Sequence, residues 1–434
     1  MKRMRTFDAI VVGAGPAGSS AALAMARAGL DVALVERGSF PGEKNMFGGV
    51  LHRLTALEEY LPQFWDKAPL ERHIVKKNLT FLTQDSAFNV NYDSGQSDQP
   101  PYNGYTIFRP KFDRWLAQEA VNAGATLLTH STVDNVIREK GRVVGVVLLR
   151  DGSELRAPVV IAADGVLSFT AQKAGLRAPR FNPSQVAVGI KALIDMPKET
   201  IDERFGLVRD QGASNEIVGC TEGVRGGSFL YTNYDSLSLG MVLHLSSLSE
   251  SGRTPYDLLN AFMEQPQIAK LLRGGRLLEY SAHLVPEGGY GMMPQLIDDG
   301  IMVAGDAAGF CIVTGLNLEG INLAVQSGVL AGKAAVQAHE RNDFSKQGLA
   351  VYRTMLNDSF VLKDLELYRK TPKMLHNDRI YNRYPELVCS VMDEIYRIDG
   401  APKQAMSRML LRKVRENIGV KNMLADLYSG WRAL

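Results

Sequence analysis

The stretch Asp8-Ala-Ile-Val-Val-Gly-Ala-Gly-Pro-Ala-Gly18 limits what this chain can fold into more than any other. An apolar run from Ile10 to Val12 breaks at Gly13, Gly15 and Gly18, passes into the helix-forming segment Ser19 to Ala28, and returns as Asp31-Val-Ala-Leu-Val35 with Glu36 at its end. That pattern is strand, turn, helix, strand. Gly13 permits the tight turn, Gly15 lets the backbone approach a pyrophosphate, and Gly18 lets helix and strand pack closely. Pro16 and Ala17 complete the cradle at the helix entrance, where free N–H groups and the helix dipole favour phosphate. Glu36 stands 23 residues after Gly13, where an acid holds the two hydroxyls of an adenosine ribose, and Arg37 follows on the same edge. A plain tight turn would use the same glycines, but the complete context and the terminal acid point to dinucleotide binding.

At 434 residues the chain can bury a large core and hold two or three domains. Its 45% hydrophobic and 22% charged content is that of an ordinary globular protein, and a net charge of +2 gives no reason to expect nucleic acid. Asp8 interrupts what would otherwise pass for a signal peptide after Met1-Lys-Arg-Met-Arg5, so the amino terminus is expected to stay on. No run of about 18 apolar residues exists to span a bilayer. Lying on a membrane surface stays open. Three scattered cysteines, Cys220, Cys311 and Cys389, make no disulfide framework, and no metal site is expected. A cubane iron–sulfur cluster needs four thiolates, so any such step belongs to another chain.

Further along, Gly48-Gly49 precedes an expected helix from Leu54 to Leu61 and would bring backbone amides close to a bound group; a structural turn would also use two glycines. Arg109 stands just before a helix with Phe112, Leu116 and Ala120 on one face. Strand-like alternation from Thr132 to Leu155 leads to the buried run Val159 to Ala163, which ends at Asp164-Gly165. Between about 176 and 295 alternation dominates, with a helical insert near Tyr256 to Leu272, and marks a second, inserted domain. Gly300 to Gly309 returns to the buried-strand pattern, ends at Gly305-Asp306, and a helix follows from Glu319 to about His339. The last ninety or so residues read as helical; Met406, Leu410, Val414 and Ile418 form an i+4 apolar row, with Arg408, Arg412 and Arg415 facing elsewhere.

The order and spacing of Gly13 to Gly18 with Glu36, Ala163-Asp-Gly165, and Ala304-Gly-Asp-Ala-Ala-Gly309 resemble the FAD-binding domain of glutathione-reductase-like flavoproteins. More narrowly, Glu287-Gly-Gly-Tyr-Gly-Met-Met-Pro-Gln-Leu296, the Gly48-Gly49 turn and Tyr105 to Ala120 resemble the electron-transfer flavoprotein–quinone oxidoreductase family, in its short bacterial FixC-type form. The resemblance implies an α/β fold: a glutathione-reductase-like FAD-binding Rossmann domain, discontinuous over 1–88, 105–175 and 296–345; an inserted sheet-rich α+β quinone domain over 89–104 and 176–295; and a helical C-terminal region over 346–434. It also implies that Glu36 holds the adenosine ribose, Arg109 the phosphate or ribityl region and Asp306 the ribityl chain. The segment Gly315-Leu-Asn317-Leu-Glu-Gly320 would set a helix N-terminus against the pyrimidine side of the flavin, where a dipole stabilises the reduced anion.

On the same resemblance Gly288, Gly289 and Tyr290 line the flavin face and a quinone slot, with Met292 and Met293 as pliable walls or ordinary core filling. The implied partners are a heterodimeric electron-transfer flavoprotein of the FixA/FixB type as donor, a small FixX-like ferredoxin carrying the iron–sulfur centre, and a membrane quinone as acceptor. In FixABCX-type complexes that quinone branch is the downhill arm of electron bifurcation, whose uphill arm supplies nitrogen fixation. The implied location is cytoplasmic and peripheral on the membrane. Two other readings stay open: a geranylgeranyl-reductase-like enzyme acting on prenyl double bonds, and a non-catalytic flavin-bearing docking subunit.

Overall fold

In the computed structural model the described residues are 4–44, 49–314 and 317–434; Gly48 and Gly315 lie outside them. A six-stranded sheet runs in the order Ile297–Asp298, Ile301–Val303, Val159–Ala162, Ala9–Val12, Val32–Val35, Thr126–Leu128. Every pairing is parallel except that of the edge strand Ile297–Asp298. Parallel strands covered on both faces must be apolar throughout, and Ala9–Val12, Val32–Val35 and Val159–Ala162 are buried at every residue. The expected α/β unit is therefore present. The alternation from Thr132 to Leu155 folds as Val133–Glu139, Arg142–Leu148 and Glu154–Arg156, and a fourth strand, Met4–Thr6, closes this small sheet.

Helix Pro16–Arg27 packs against the 21-residue helix Ile321–Arg341 at a distance only small residues allow. A Cβ added to Gly328 would meet the Ala17 carbonyl oxygen at 2.1 Å, and one on Gly332 would meet that of Ala21 at 2.7 Å.

The second sheet has nine strands, ordered Arg276–Pro286, Val186–Asp195, Ser236–His244, Gly226–Thr232, Gln211–Val218, Leu70–Leu82, Gly104–Ile107, Gly49–His52, with Ala87–Asp93 paired to Leu70–Leu82. Helices Pro255–Glu264 and Pro266–Leu272 supply its outer core through Leu258, Leu259, Phe262 and Ile268. The expected boundaries differ from this pairing. Residues 49–52, 70–82 and 104–107 hydrogen-bond into the second sheet, although 1–88 and 105–175 were assigned to the first domain. The cause is long-range. Leu70–Leu82 pairs in parallel with Gln211–Val218, and Arg72, fully buried, donates to the carbonyls of Asn233 at 2.6 Å, Gln211 at 2.9 Å and Tyr234 at 3.0 Å and to Asp202 at 2.5 Å. Local alternation cannot say which sheet a strand will join.

Residues beyond 350 are helical, as expected, from Val351–Asp358 to Val420–Ala433. The packed face of Met406–Asn417 is turned from the expected one: Met409 is buried while Met406 and Leu410 are exposed, although Ile418 at the end of the expected row is buried. Glu394 on Arg383–Tyr396 pairs with Arg412 and, at 3.3 Å, with Lys413, which draws the basic side of the helix inward. The helix expected from Leu54 to Leu61 is the single turn Thr55–Glu58.

Candidate functional site

The first half of the site is built on the glycine turn. Gly13 takes φ +99°, and a Cβ there would lie 2.4 Å from the Ala163 carbonyl oxygen; on Gly18 it would lie 1.8 Å from that of Gly13. Gly15 differs. The nearest atom to a Cβ on it is Arg109 Nη2, at 4.0 Å, so the space above this glycine is open and faces a guanidinium. Gly15 is also the N-cap of Pro16–Arg27 with no side-chain cap, which leaves that helix's first N–H groups to a ligand. Ala17 and Pro16 are buried in its first turn.

Glu36 ends the neighbouring strand and accepts from the backbone N–H of Ala14 at 3.0 Å and of Gly38 at 2.7 Å, one bond to each oxygen. Each oxygen keeps a lone pair for a ribose hydroxyl. Arg109 is fixed by a bidentate fork to Asp113, at 2.7 and 2.8 Å. Asp164 accepts from the Thr170 N–H at 2.8 Å, while its Oδ1 is buried without a hydrogen-bond partner. Burial pushes this carboxyl up, opposed by the Thr170 bonds and, more weakly, by the nearby Arg37. Gly165 follows at φ +80°. Gly305, at φ +64°, would place a Cβ 2.7 Å from that of Ala17, and its N–H donates to Ser327 at 3.0 Å. Asp306 is pushed up by burial, with Arg109 opposing.

Gly320 is the N-cap of Ile321–Arg341, again with no side-chain cap, and a Cβ on it would lie 4.0 Å from Asp306 Oδ1 and 3.8 Å from Cys311 Sγ. The helix N-terminus therefore faces the Asp306 turn. Asn317 serves the short hairpin before it, its N–H donating to Thr314 Oγ1 at 3.3 Å. Gly49 does not stand at a helix entrance: it opens the strand Gly49–His52, with Ile321 Cδ1 3.9 Å from where its Cβ would be. Strand pairing with Gly104–Ile107 won over helix initiation there.

Gly288, Gly289 and Tyr290 enter the single 3-10 turn Gly289–Met292. A Cβ on Gly288 would lie 2.6 Å from Met292 Cβ, and Gly289, at φ +54°, would put one 3.4 Å from Pro372 Cγ. Tyr290 and Met293 are part-buried against the main core. Met292 is buried and lies 3.6 Å from where a Cβ of Gly309 would be, which seats the loop on the Asp306 turn. The two predicted halves thus meet.

Three residues at this junction were not singled out from sequence. Asp113, at i+4 from Arg109, was legible as a helix ion pair. Lys191 and His283 were not, since each is one polar residue in an alternating strand. Gly189 pairs with His283 and Lys191 with Ser281, so Lys191 and His283 are diagonal neighbours on one face of the sheet. Burial, with Arg109 adding repulsion, pushes Lys191 down to about 8; burial, then Lys191 and Arg109, pushes His283 down to about 3. Lys191 and Arg109 therefore bring positive charge to the cradle, while His283 stays neutral. Open space at Gly15, two uncapped helix N-termini and the half-satisfied Asp164 together fit FAD.

Comparison with known proteins agrees. The family model "FAD dependent oxidoreductase" matches residues 8–174, "ETF-QO, ubiquinone-binding" matches 186–285, and "ETF-QO/FixC family C-terminal domain" matches 371–434. Protein FixC of Escherichia coli K12 is 44% identical over 98% of both chains, and Protein FixC of Azorhizobium caulinodans is 39% identical over 98% of both. "Probable electron transfer flavoprotein-quinone oxidoreductase YdiS" of Escherichia coli K12 is 43% identical over 99% of both. Among solved structures, a geranylgeranyl bacteriochlorophyll reductase-like protein from Thermoplasma acidophilum superposes with a TM-score of 0.74 at 21% identity, over 99% of this chain and 100% of the other. That likeness carries the fold and not the substrate. With a nucleotide cradle, a cationic sheet face and full-length relatives in register, the chain belongs to the ETF-QO/FixC family and is an FAD-dependent oxidoreductase with a quinone as substrate.

Proposed function

We propose that this chain receives electrons from a FixA/FixB-type electron-transfer flavoprotein and passes them through FAD to a membrane quinone held against Gly288, Gly289 and Tyr290. The supporting observation is the seating of Met292 on Gly309, which sets the loop beside the Asp306 turn. When bound, the flavin supplies the redox chemistry. The protein's own part is placement. Gly15 and the Pro16–Arg27 N-terminus hold the phosphates, Glu36 the ribose, and Asp306 the ribityl chain. Arg109, beside Gly15, holds the phosphate or ribityl region, and Lys191 and the uncapped N-terminus at Gly320 offer positive potential where the reduced form gathers negative charge. Gly288 and Gly289 let the loop pack tightly on Met292 and Pro372, and Met292 and Met293 exclude water from the slot.

By the same reading the chain is the quinone-reducing subunit of a FixABCX-type bifurcating complex that supports nitrogen fixation. A small FixX-like ferredoxin brings the iron–sulfur centre that three cysteines cannot hold. No helix among the described residues is long and apolar enough to cross a membrane, so the proposed seat is peripheral, on the cytoplasmic face.

The test follows the bound flavin's absorbance anaerobically. NADH or NADPH alone should leave it unchanged, reduced electron-transfer flavoprotein should bleach it, and a soluble quinone should restore it. Bleaching by nicotinamide alone would overturn the relay.

A further inference from the structure

One buried acid at the junction has no role in the placement described above. Glu287 directly precedes the Gly288–Tyr290 loop, its side chain only 9% exposed, and its Oε2 is buried without a hydrogen-bond partner. An unsatisfied buried carboxyl oxygen costs about 1–3 kcal/mol, which an apolar residue of that size would avoid. Glu287 is also close enough to Cys311, the neighbour of Gly320 and Asp306, to help burial and Asp306 push that thiol up.

A line of polar groups leads outward from Glu287. His244 Nε2 lies 3.7 Å from Glu287 Oε2 and 3.4 Å from the Tyr381 hydroxyl, which donates to the Leu375 carbonyl at 2.9 Å. The His244 ring meets that of His376 edge to face, with centroids 5.3 Å apart, while His376 Nε2 is held 3.0 Å from the Ser184 carbonyl oxygen. The His376 carbonyl accepts from Arg225 Nη1 at 3.4 Å, and Arg225 pairs at 3.6 Å with Asp378, which is 69% exposed. Arg225 and Asp378 line an open cleft of about 450 Å³ together with Glu222, Ser247, Glu250 and Arg253.

We propose that Glu287 gives the quinone one of its two protons and that His244 passes the replacement inward from the side of the cleft framed by Arg225 and Asp378. The inference rests on the quinone-slot reading. The balance is complete: two electrons and one proton come from the reduced flavin, the second proton leaves the Glu287 carboxyl, both quinone carbonyls become hydroxyls, and water at the cleft restores the acid. Burial holds the carboxyl up at about 7, a value suited to donating near neutrality. At 3.7 Å the pair is at the edge of ion-pair distance, but burial, then His376 and Arg225, pushes His244 down to about 4. Below about pH 7 a neutral acid thus faces a neutral imidazole, which relays by exchanging tautomers.

The holoenzyme tests this with E287Q, E287D and H244Q, a soluble quinone and reduced electron-transfer flavoprotein. In E287Q quinone reduction should fall at least about 100-fold, with flavin loading and its reduction by the flavoprotein intact. E287D should restore part of the rate and displace the limb above about pH 7 that the wild type shows, and H244Q should slow turnover less. Separately, infrared difference spectra of the FAD-free protein between pH 6 and 8 should contain a carboxyl band that E287Q removes and E287D shifts. Should E287Q not fold, E287D and the infrared band decide. A wild-type pH profile in E287Q or E287D, or an unchanged infrared band in E287D, overturns the relay while leaving the quinone slot standing. A wild-type enzyme that never reduces quinone overturns the slot itself.

Discussion

Replacing Gly328 by alanine should loosen the nucleotide cradle from a distance. The added Cβ would stand 2.1 Å from the Ala17 carbonyl oxygen, and ordinary contact begins at 3.4 Å, so the two helices must part locally by about 1.3 Å. At Gly332 the corresponding contact is 2.7 Å, and about 0.7 Å suffices. Alanine gains about 1 kcal/mol of helix propensity over glycine, but overpacking of this kind costs about 1–3 kcal/mol. Ala17 is the second residue of Pro16–Arg27, so the displacement falls where helix N–H groups meet phosphate. Losing one such charge-assisted bond, worth about 1.5–3 kcal/mol, weakens FAD binding at least about tenfold. Flavin fluorescence titration and urea unfolding measure the two effects. The order should be G328A worse than G332A in both. Wild-type FAD affinity in G328A, or a larger effect from G332A, would refute the packing argument.

Arg72→Met should cost about 3–5 kcal/mol in urea unfolding, because Asp202 and three carbonyls lose a buried partner; an unchanged midpoint would mean that the strand is held by pairing alone. His283→Asn should flatten the acid limb of stability. The folded state keeps His283 neutral down to about pH 3, while the unfolded chain takes up a proton near 6.5, so stability falls as pH drops from 6.5 toward 3. Urea midpoints at pH 7 and 5 should converge in the variant, and an undiminished difference would remove His283 as a cause.

The cradle was legible because its information is local. Gly13, Gly15, Gly18 and Glu36 lie within one strand–turn–helix–strand unit, and the geometry each needs is written in its own residue type. The meeting of the Gly288 loop with the Asp306 turn was legible through resemblance, since nothing local joins Met292 to Gly309. What could not be read depends on pairings across the chain. Leu70–Leu82 reads as a strand, but its partner begins at Gln211. Lys191 and His283 gain meaning only when register makes them neighbours. The rotated face of Met406–Asn417 follows from Glu394 on another helix. Glu287 stood in plain view, yet only the packing of His244 and Tyr381 around it distinguishes it from a loop residue.

The strand order of the parallel sheet also bears on how the protein is made. Ala9–Val12, among the first strands synthesised, lies beside Val159–Ala162, which in turn waits for Ile301–Val303. The helix that closes over Pro16–Arg27 ends at Arg341. Until that residue has left the ribosome the glycine turn has no roof, and its apolar strands lie open to chaperones and to one another. FAD loading therefore waits until the chain has passed Arg341.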